Sequence, residues 1–266
     1  MLTRIISAIV GVPLIALFLI IRGNYLFVFV GVLSLIGMYE YYKAINATGV
    51  KTMSFIGYIF CLAFYVLQLF YPDTEISSKI MAVMLITLFT YEIFTRKNGV
   101  DGIIHTLFGF VYVAFLMSHI LRINNLENAA ILIWLPFLTA WFTDSSAYFV
   151  GISIGKHKII PSISPKKSLE GFIGGIIGSS VLTTLFGVII IGYGYDIALV
   201  HFIIIGLICG FASEIGDLAG SYIKRFTKIK DFGNLIPGHG GILDRFDSIL
   251  FTMPIVYYYF ILVQNI

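Results

Sequence analysis

Residues 238–248, GHGGILDRFDS, carry groups suited to phosphate and metal chemistry. Three glycines allow a tight backbone whose N–H groups can approach an anion. Asp244 and Asp247 stand three residues apart, with Arg245 between them, and carboxylates of this kind suit Mg²⁺. The chain has too few Cys and His residues for a zinc site. His239 could be a ligand, a proton donor or a turn residue bonded to backbone.

Basic residues come just before this stretch. They are Lys224, Arg225, Lys228 and Lys230, and Asp231 follows them. Basic side chains bind polyphosphate, carboxylates hold Mg²⁺ and glycines let the backbone come close. Those are the components of phosphoryl or nucleotidyl transfer, where catalysis is mostly positioning and charge neutralisation.

A second charged segment reads GKHKIIPSISPKKSLEGFIGG, residues 155–175. Ser164 and Pro165 have the pattern of a helix start, which places Lys166 and Lys167 in the first helical turn. Two ammonium groups at a helix N-terminus predict a phosphate site. The alternative is a pair of solvated lysines at the membrane surface. The glycines that follow have the small-residue spacing that favours close helix packing: Gly171, Gly174, Gly175 and Gly178.

The elements that position these groups lie in a membrane. Of the 266 residues, 59% are hydrophobic and 12% charged, against about 25% charged in a soluble domain. Continuous apolar runs predict an all-α integral membrane protein with about nine transmembrane helices. They cover approximately residues 5–22, 25–42, 53–71, 79–95, 103–121, 129–150, 171–193, 197–220 and 248–264. The first run resembles a signal peptide but is long enough for a retained helix. Cys61 and Cys209 both lie in apolar runs and are predicted to be core residues.

The basic residues predict the orientation. With nine spans, 14 of the 17 Lys and Arg residues fall on the side of the N-terminus and 3 on the other. The positive-inside rule then places the N-terminus in the cytoplasm and the C-terminus outside. Loops 151–170 and 221–247 are both cytoplasmic and form the active site. We therefore divide the chain into residues 1–128, with spans one to five, and a catalytic region 129–266.

Acidic residues inside the predicted spans need a partner or a purpose, because a carboxylate at bilayer depth costs at least about 2.5 kcal/mol. Glu214 and Asp217 share one helix face, and Asp144 could meet them at the same depth. The alternative is that each simply pairs with a nearby Lys or Arg. That simpler pairing is favoured for Glu40 and Glu92, which precede Lys43 and Arg96, and no other role is assigned to them.

The segment from Ser221 to Asp247, SYIKRFTKIKDFGNLIPGHGGILDRFD, resembles the signature of phosphatidate cytidylyltransferases, also called CDP-diacylglycerol synthases. Upstream, DSSAYFVGISIGKHKIIPSISPKKSLEG resembles the family's Asp-x-x-Ala-Tyr, Gly-Lys and Ser-Pro-Lys-Lys-x-x-Glu-Gly run, except that Ser168-Leu169 stands where Thr-Trp is common. The motifs cover about the C-terminal half of the chain. The first five spans match only in hydrophobic character.

The resemblance implies transfer of the cytidylyl group of CTP to phosphatidate, which gives CDP-diacylglycerol and pyrophosphate for phospholipid biosynthesis. It also implies Mg²⁺ as cofactor, with room for a second cation, and a homodimer in the inner membrane with no nucleic-acid partner. Asp217 and Asp244 would be the metal ligands, with Asp144 and Glu214 as further candidates. The catalytic set would add Lys224, Arg225, His239 and Arg245, and the substrate-binding set would be Lys166, Lys167, Ser221, Lys230, Gly240, Gly241, Asp144 and Asp247.

Two other functions use some of the same groups. A CTP- or ATP-dependent lipid kinase needs the same basic loops and carboxylates but attacks a different phosphorus. An ion-coupled transporter would use intramembrane acids such as Asp144 and Glu214 along an ion path. The dense cytoplasmic run of Lys, Asp and Gly argues against the transporter.

Overall fold

The computed structural model describes residues 2–71 and 75–264, without the side chains of residues 2–6, 8 and 264. Every regular element in these ranges is a helix. The helices are α1 Leu2–Ile21, α2 Gly23–Asn46, α3 Ser54–Phe70, α4 Glu75–Thr95, α5 Gly99–Gly109, a π-helical stretch Phe110–Phe115 that leads into α6 Leu116–Ile123, α7 Ala129–Leu132, α8 Leu135–Ile154, α9 Leu169–Gly192, α10 Leu199–Phe226 and α11 Leu243–Gln264.

Six of these helices are long and apolar enough to cross a membrane: Gly23–Asn46, Glu75–Thr95, Gly99–Ile123, Leu169–Gly192, Leu199–Phe226 and Leu243–Val263. The all-α membrane character predicted from the sequence is therefore confirmed. Seven of the nine predicted segments each fall on one helix, and Ile9–Ile21 and Ser54–Phe70 are shorter apolar helices. Segment 103–121 covers α5, the π-helical stretch and α6, and segment 129–150 is divided between α7 and α8. The count of nine spans and their sidedness stay predictions.

Contacts divide the chain into two compact units. The first contains residues 1–122 and 226–245, and the second contains residues 123–225 and 246–266. This grouping places residues 226–245, the glycine-rich part of loop 221–247, in the first unit, and the sequence-based division at residue 128 stays a prediction.

In the first unit, tyrosines of α2 fill the space beside two glycines. Tyr41 and Tyr42 are 1% exposed, and the Tyr42 hydroxyl donates a hydrogen bond to the Thr106 carbonyl at 2.8 Å. A Cβ on Gly57 or Gly109 would overlap these rings, so both glycines let neighbouring helices approach α2 closely. This packing fixes the end of α2, where Glu40 lies.

In the second unit, the glycines of α9 pack against α8 as their spacing predicts. A Cβ on Gly174 would overlap Val150, and a Cβ on Gly178 would overlap the side chain of Ser146. Gly171 lies against the carbonyl of Ala147. The prediction of close helix packing by these small residues is confirmed.

The helix start predicted at Ser164 and Pro165 is wrong. Helix α9 begins at Leu169, and its N-cap is Ser168, whose hydroxyl accepts a hydrogen bond from the Gly171 N–H at 3.2 Å. Ser164 and Pro165 instead open a turn closed by Lys167 N–H and the Ser164 carbonyl. Proline suits the second position of such a turn as well as the first turn of a helix. Lys166 and Lys167 therefore precede α9.

Substitution at Gly187 tests the packing of the second unit. A Cβ there would overlap the ring of Phe202, which is fully buried on α10. We expect Gly187→Leu to destabilise the folded protein by about 1–3 kcal/mol through overpacking. Gly192→Leu is the matched control, since a Cβ there meets nothing within 4 Å. Thermal unfolding in detergent should show a lower midpoint for Gly187→Leu, and equal midpoints would contradict this packing.

Candidate active site

The glycine-rich loop of the first unit is closed by one carboxylate oxygen. Oδ2 of Asp244 accepts the backbone N–H of Phe232 at 2.8 Å and that of Gly241 at 2.9 Å. Asp244 is 5% exposed and lies in the first turn of α11. The residues between Phe232 and Gly241 therefore form a loop whose two ends are fixed to a single side chain.

A second carboxylate, Glu40 of α2, holds the start of α11. Its two oxygens accept the N–H of Ile242 at 3.0 Å and of Leu243 at 2.9 Å. The first N–H groups of a helix have no partner inside the helix, so this buried side chain supplies one. Gly233 and Gly241 pack directly against the carboxylate and leave no room for a Cβ.

The role of Glu40 was missed by sequence reasoning, which favoured a pairing with Lys43. The cost of a carboxylate inside a span was the only signal, and the partner lies 202 residues further along the chain. Glu92 behaves in a similar way. It accepts the N–H of Asn98 at 3.0 Å and of Gly99 at 2.8 Å at the start of α5, where the sequence favoured Arg96 as its partner.

The turn at residues 236–240 needs glycine at two positions. Gly238 and Gly240 have φ angles of 77° and 87°, which L-residues with a side chain rarely adopt. Two hydrogen bonds of 2.9 Å close the turn, from His239 N–H to the Ile236 carbonyl and from Ile236 N–H to the Gly240 carbonyl. A Cβ on Gly240 would also lie 2.7 Å from Asp244 Oδ2.

The loop lines an open polar cavity of about 680 Å³. Its charged and titratable lining residues are Lys230, Asp231, His239 and Arg245. The backbone of Gly233, Gly238 and Gly240 forms part of the rest of its wall. Ligand sites typically measure about 300–1,000 Å³, and this lining suits a polar anion.

In the second unit, Lys167 joins two carboxylates of α10. Its Nζ lies 2.6 Å from Glu214 Oε2 and 2.6 Å from Asp217 Oδ2. This geometry confirms that Glu214 and Asp217 share a helix face. Burial disfavours the charged form of Lys167, but the nearby charges of Asp217 and Glu214 outweigh it and raise its pKa above the ordinary 10.5. The lysine therefore stays protonated at physiological pH.

Asp247 is the other buried carboxylate of the second unit. It is 6% exposed, and Lys224 Nζ lies 3.9 Å from its Oδ2. A Cβ on Gly220 would lie 2.9 Å from the same side chain, so glycine lets α10 approach it. Asp217 and Asp144 are close enough to repel Asp247 electrostatically. Lys167 pairs with Glu214 and Asp217, as in the alternative given by the sequence analysis, and a meeting of both acids with Asp144 stays a prediction.

The loop before α9 is held by Arg225 and Glu170. Arg225 Nε donates to the Ile163 carbonyl at 3.2 Å. Glu170 accepts the N–H of Lys156 at 3.0 Å and lies 2.6 Å from His157 Nδ1. Glu170 belongs to the Lys-Lys-x-x-Glu-Gly motif, but sequence reasoning gave it no role. Here it fixes the start of the segment that carries Lys166 and Lys167.

The carboxylates of the second unit fit a hard cation. Glu214 Oε1 is buried and accepts no hydrogen bond, while its other oxygen binds Lys167. Mg²⁺ prefers oxygen ligands and is usually held by one or two carboxylates together with phosphates and water. Within residues 2–71 and 75–264, no three His, Cys, Asp or Glu side chains form a ready-made metal site. The ligand set of Asp217 and Asp244, with Asp144 and Glu214 as further candidates, stays a prediction.

The predicted site residues fall in both units. The first unit contains Lys230, His239, Gly240, Gly241, Asp244 and Arg245, and the second contains Asp144, Lys166, Lys167, Glu214, Asp217, Ser221, Lys224, Arg225 and Asp247. Lys166 is exposed and Ser221 is half-buried on α10. Their individual chemical roles stay predictions.

Helices of membrane-spanning length, loops rich in Lys and Arg, and clustered carboxylates are together typical of one class, the membrane proteins that act on phosphorylated substrates. Comparison with known proteins narrows the class. A model of the cytidylyltransferase family matches residues 2–263, and the chain belongs to this family. A phosphatidate cytidylyltransferase of Bacillus subtilis (strain 168) is 34% identical over 97% of this chain and 95% of the relative. One from Staphylococcus saprophyticus is 33% identical over 96% of this chain and 95% of the relative.

Removal of the Glu40 carboxylate tests how the loop is held. Glu40→Ala leaves two buried N–H groups without acceptors, which costs about 1–3 kcal/mol for each. We expect faster amide hydrogen exchange in residues 232–243 of the purified protein. Glu92→Ala is the matched control, because it removes a carboxylate that caps α5 instead. Unchanged exchange at 232–243 in Glu40→Ala would show that other contacts hold the loop.

Proposed function

We propose that the protein transfers the cytidylyl group of CTP to phosphatidate and releases pyrophosphate. Family membership and the names of the relatives support this reaction. The single structural observation that carries it is the polar cavity, where Lys230, His239 and Arg245 meet a glycine backbone fixed by Asp244. A triphosphate needs this combination of cations and close N–H groups.

The reaction needs charge neutralisation more than proton transfer. An oxygen of the phosphatidate phosphate attacks the α-phosphorus of CTP, a new P–O bond forms and the bond from that phosphorus to the bridging oxygen breaks. Pyrophosphate leaves with the bonding electrons. The attacking phosphate is already an anion, so no strong general base is required. Lys166, Lys167, Lys224, Arg225 and Arg245 would supply the positive charge that offsets repulsion between the substrates.

Mg²⁺ is the cofactor we propose. Asp217 and Asp244 would hold it, with Asp144 and Glu214 as candidates for a second cation, and when bound it would neutralise charge on the transferred and leaving phosphates. Asp247 then orients Lys224 through their mutual contact. We further propose a multi-pass protein of the inner membrane that acts as a homodimer, with its charged loops in the cytoplasm.

The position of the label in CTP distinguishes the proposed reaction from its rivals. Purified protein in detergent receives phosphatidate, Mg²⁺ and CTP labelled at the α- or the γ-phosphate. We expect lipid-extractable label from the α position only. Label from the γ position would identify a lipid kinase instead. Label from neither would favour the ion-coupled transporter, and ion flux in vesicles would then be measured.

Asp244→Asn separates the charge of Asp244 from its structural role. Asparagine keeps a carbonyl oxygen that can accept the N–H of Phe232 and Gly241, so the loop should keep its fold, but the negative charge is lost. We expect turnover to fall about 100-fold or more, as for loss of one charge-stabilising group. Thermal unfolding and amide exchange of residues 232–243 should stay near those of the parent protein. Near-normal turnover in this variant would overturn the metal assignment of Asp244.

A further inference from the structure

A second cavity of the first unit differs in character from the polar one. It measures about 480 Å³ and lies between α2, α3 and the glycine-rich loop. Its apolar and aromatic lining residues are Leu35, Ile36, Tyr39, Tyr58, Phe232 and Leu235. Tyr39 is 54% exposed and Leu235 56% exposed, so the cavity opens at the protein surface. We call it the α2–α3 cleft.

One cation stands at the edge of this cleft. Lys43 lies one turn beyond Tyr39 on α2, and its Nζ is 5.9 Å from the centre of the Tyr39 ring. The carboxylate of Glu40 also lines the cleft, but both of its oxygens accept backbone N–H groups of α11. Those helix N-terminal dipoles offset the charge of Glu40. Of the two charged side chains that line the cleft, Lys43 is therefore the one that can contact an anionic ligand.

The α2–α3 cleft and the polar cavity share part of one wall. Gly233 and Asn234 line both of them. A ligand with an anionic end and an apolar end, placed with its anion near Asn234 and Lys43, would bring that anion beside the polar cavity. The lining of the polar cavity therefore suits a nucleotide, and that of the α2–α3 cleft suits a phospholipid. The phosphates of the two substrates would meet at the wall that the two spaces share.

We propose that the α2–α3 cleft binds phosphatidate, with Lys43 in contact with its phosphate. The glycerol and the first part of an acyl chain lie against Ile36, Tyr58 and Leu235, and the rest of the lipid extends through the open side into the bilayer. This inference rests on the proposed function and adds to it the location of the lipid substrate. A water-soluble ligand would gain little from this lining, because burial of apolar surface rewards an apolar partner.

Kinetics with each substrate varied in turn tests the location. Ile36→Trp fills the cleft, and we expect the KM for dioleoyl phosphatidate in mixed micelles to rise about tenfold or more while the KM for CTP stays unchanged. Ile59→Trp is the matched control, because Ile59 lies on α3, is exposed and does not line the cleft. Lys43→Gln should raise the KM for phosphatidate about tenfold, as expected when a charge-assisted contact is lost. Lys51→Gln, at another exposed lysine, should leave it unchanged.

A photoreactive lipid gives a direct readout that does not depend on turnover. Phosphatidate with a diazirine in one acyl chain should label peptides of α2 and α3, and excess phosphatidate should compete where phosphatidylcholine does not. Labelling confined to helices of the second unit, or equal KM values in Ile36→Trp and Ile59→Trp, would overturn the proposal even if cytidylyl transfer is confirmed. If transfer fails but α2 and α3 are still labelled competitively, the proposed reaction is wrong while the lipid cleft stands.

Discussion

Two buried carboxylates satisfy four backbone N–H groups, three of them beside the start of α11 and the fourth at Phe232, and both cavities described above depend on this arrangement. Glu40 accepts Ile242 and Leu243, and Asp244 accepts Phe232 and Gly241. A buried helix start without such acceptors would leave donors unpaired at a cost of about 1–3 kcal/mol each. Because both carboxylates touch the same loop, its backbone is fixed where it forms the wall of both cavities.

The second unit meets the same constraint with ion pairs. Glu214 and Asp247 are almost fully buried on helices that cross the apolar region, so each needs a cationic partner. Lys167 comes from a loop fixed by Glu170 and by the contact of Arg225 with Ile163, and Lys224 comes from the end of α10. Lys167 is shared by Glu214 and Asp217, and Oε1 of Glu214 has no hydrogen-bond partner. The Mg²⁺ that we propose would give this oxygen a partner.

The sequence predicted the helical membrane architecture because continuous apolar runs leave few other structures possible. It also predicted the glycine face of α9 and the shared face of Glu214 and Asp217, which follow from helical spacing alone. It failed at Ser164 and Pro165, where a turn and a helix start use the same residue types. It failed at Glu40 and Glu92, because their partners are backbone N–H groups. Nearly every residue has such a group, so the sequence does not show which of them a carboxylate binds.

Glu40 also changes how the N-terminal half of the chain should be understood. The residues that resemble the family signature lie in the C-terminal half, so the early helices could pass for a membrane anchor. The glycine-rich loop, however, belongs by its contacts to the first unit, and a residue of α2 holds it there. Gly233 and Gly241 are required because Glu40 occupies the space of their side chains. The need for glycine at position 241 of the signature is therefore set in part by a helix that contains none of the signature.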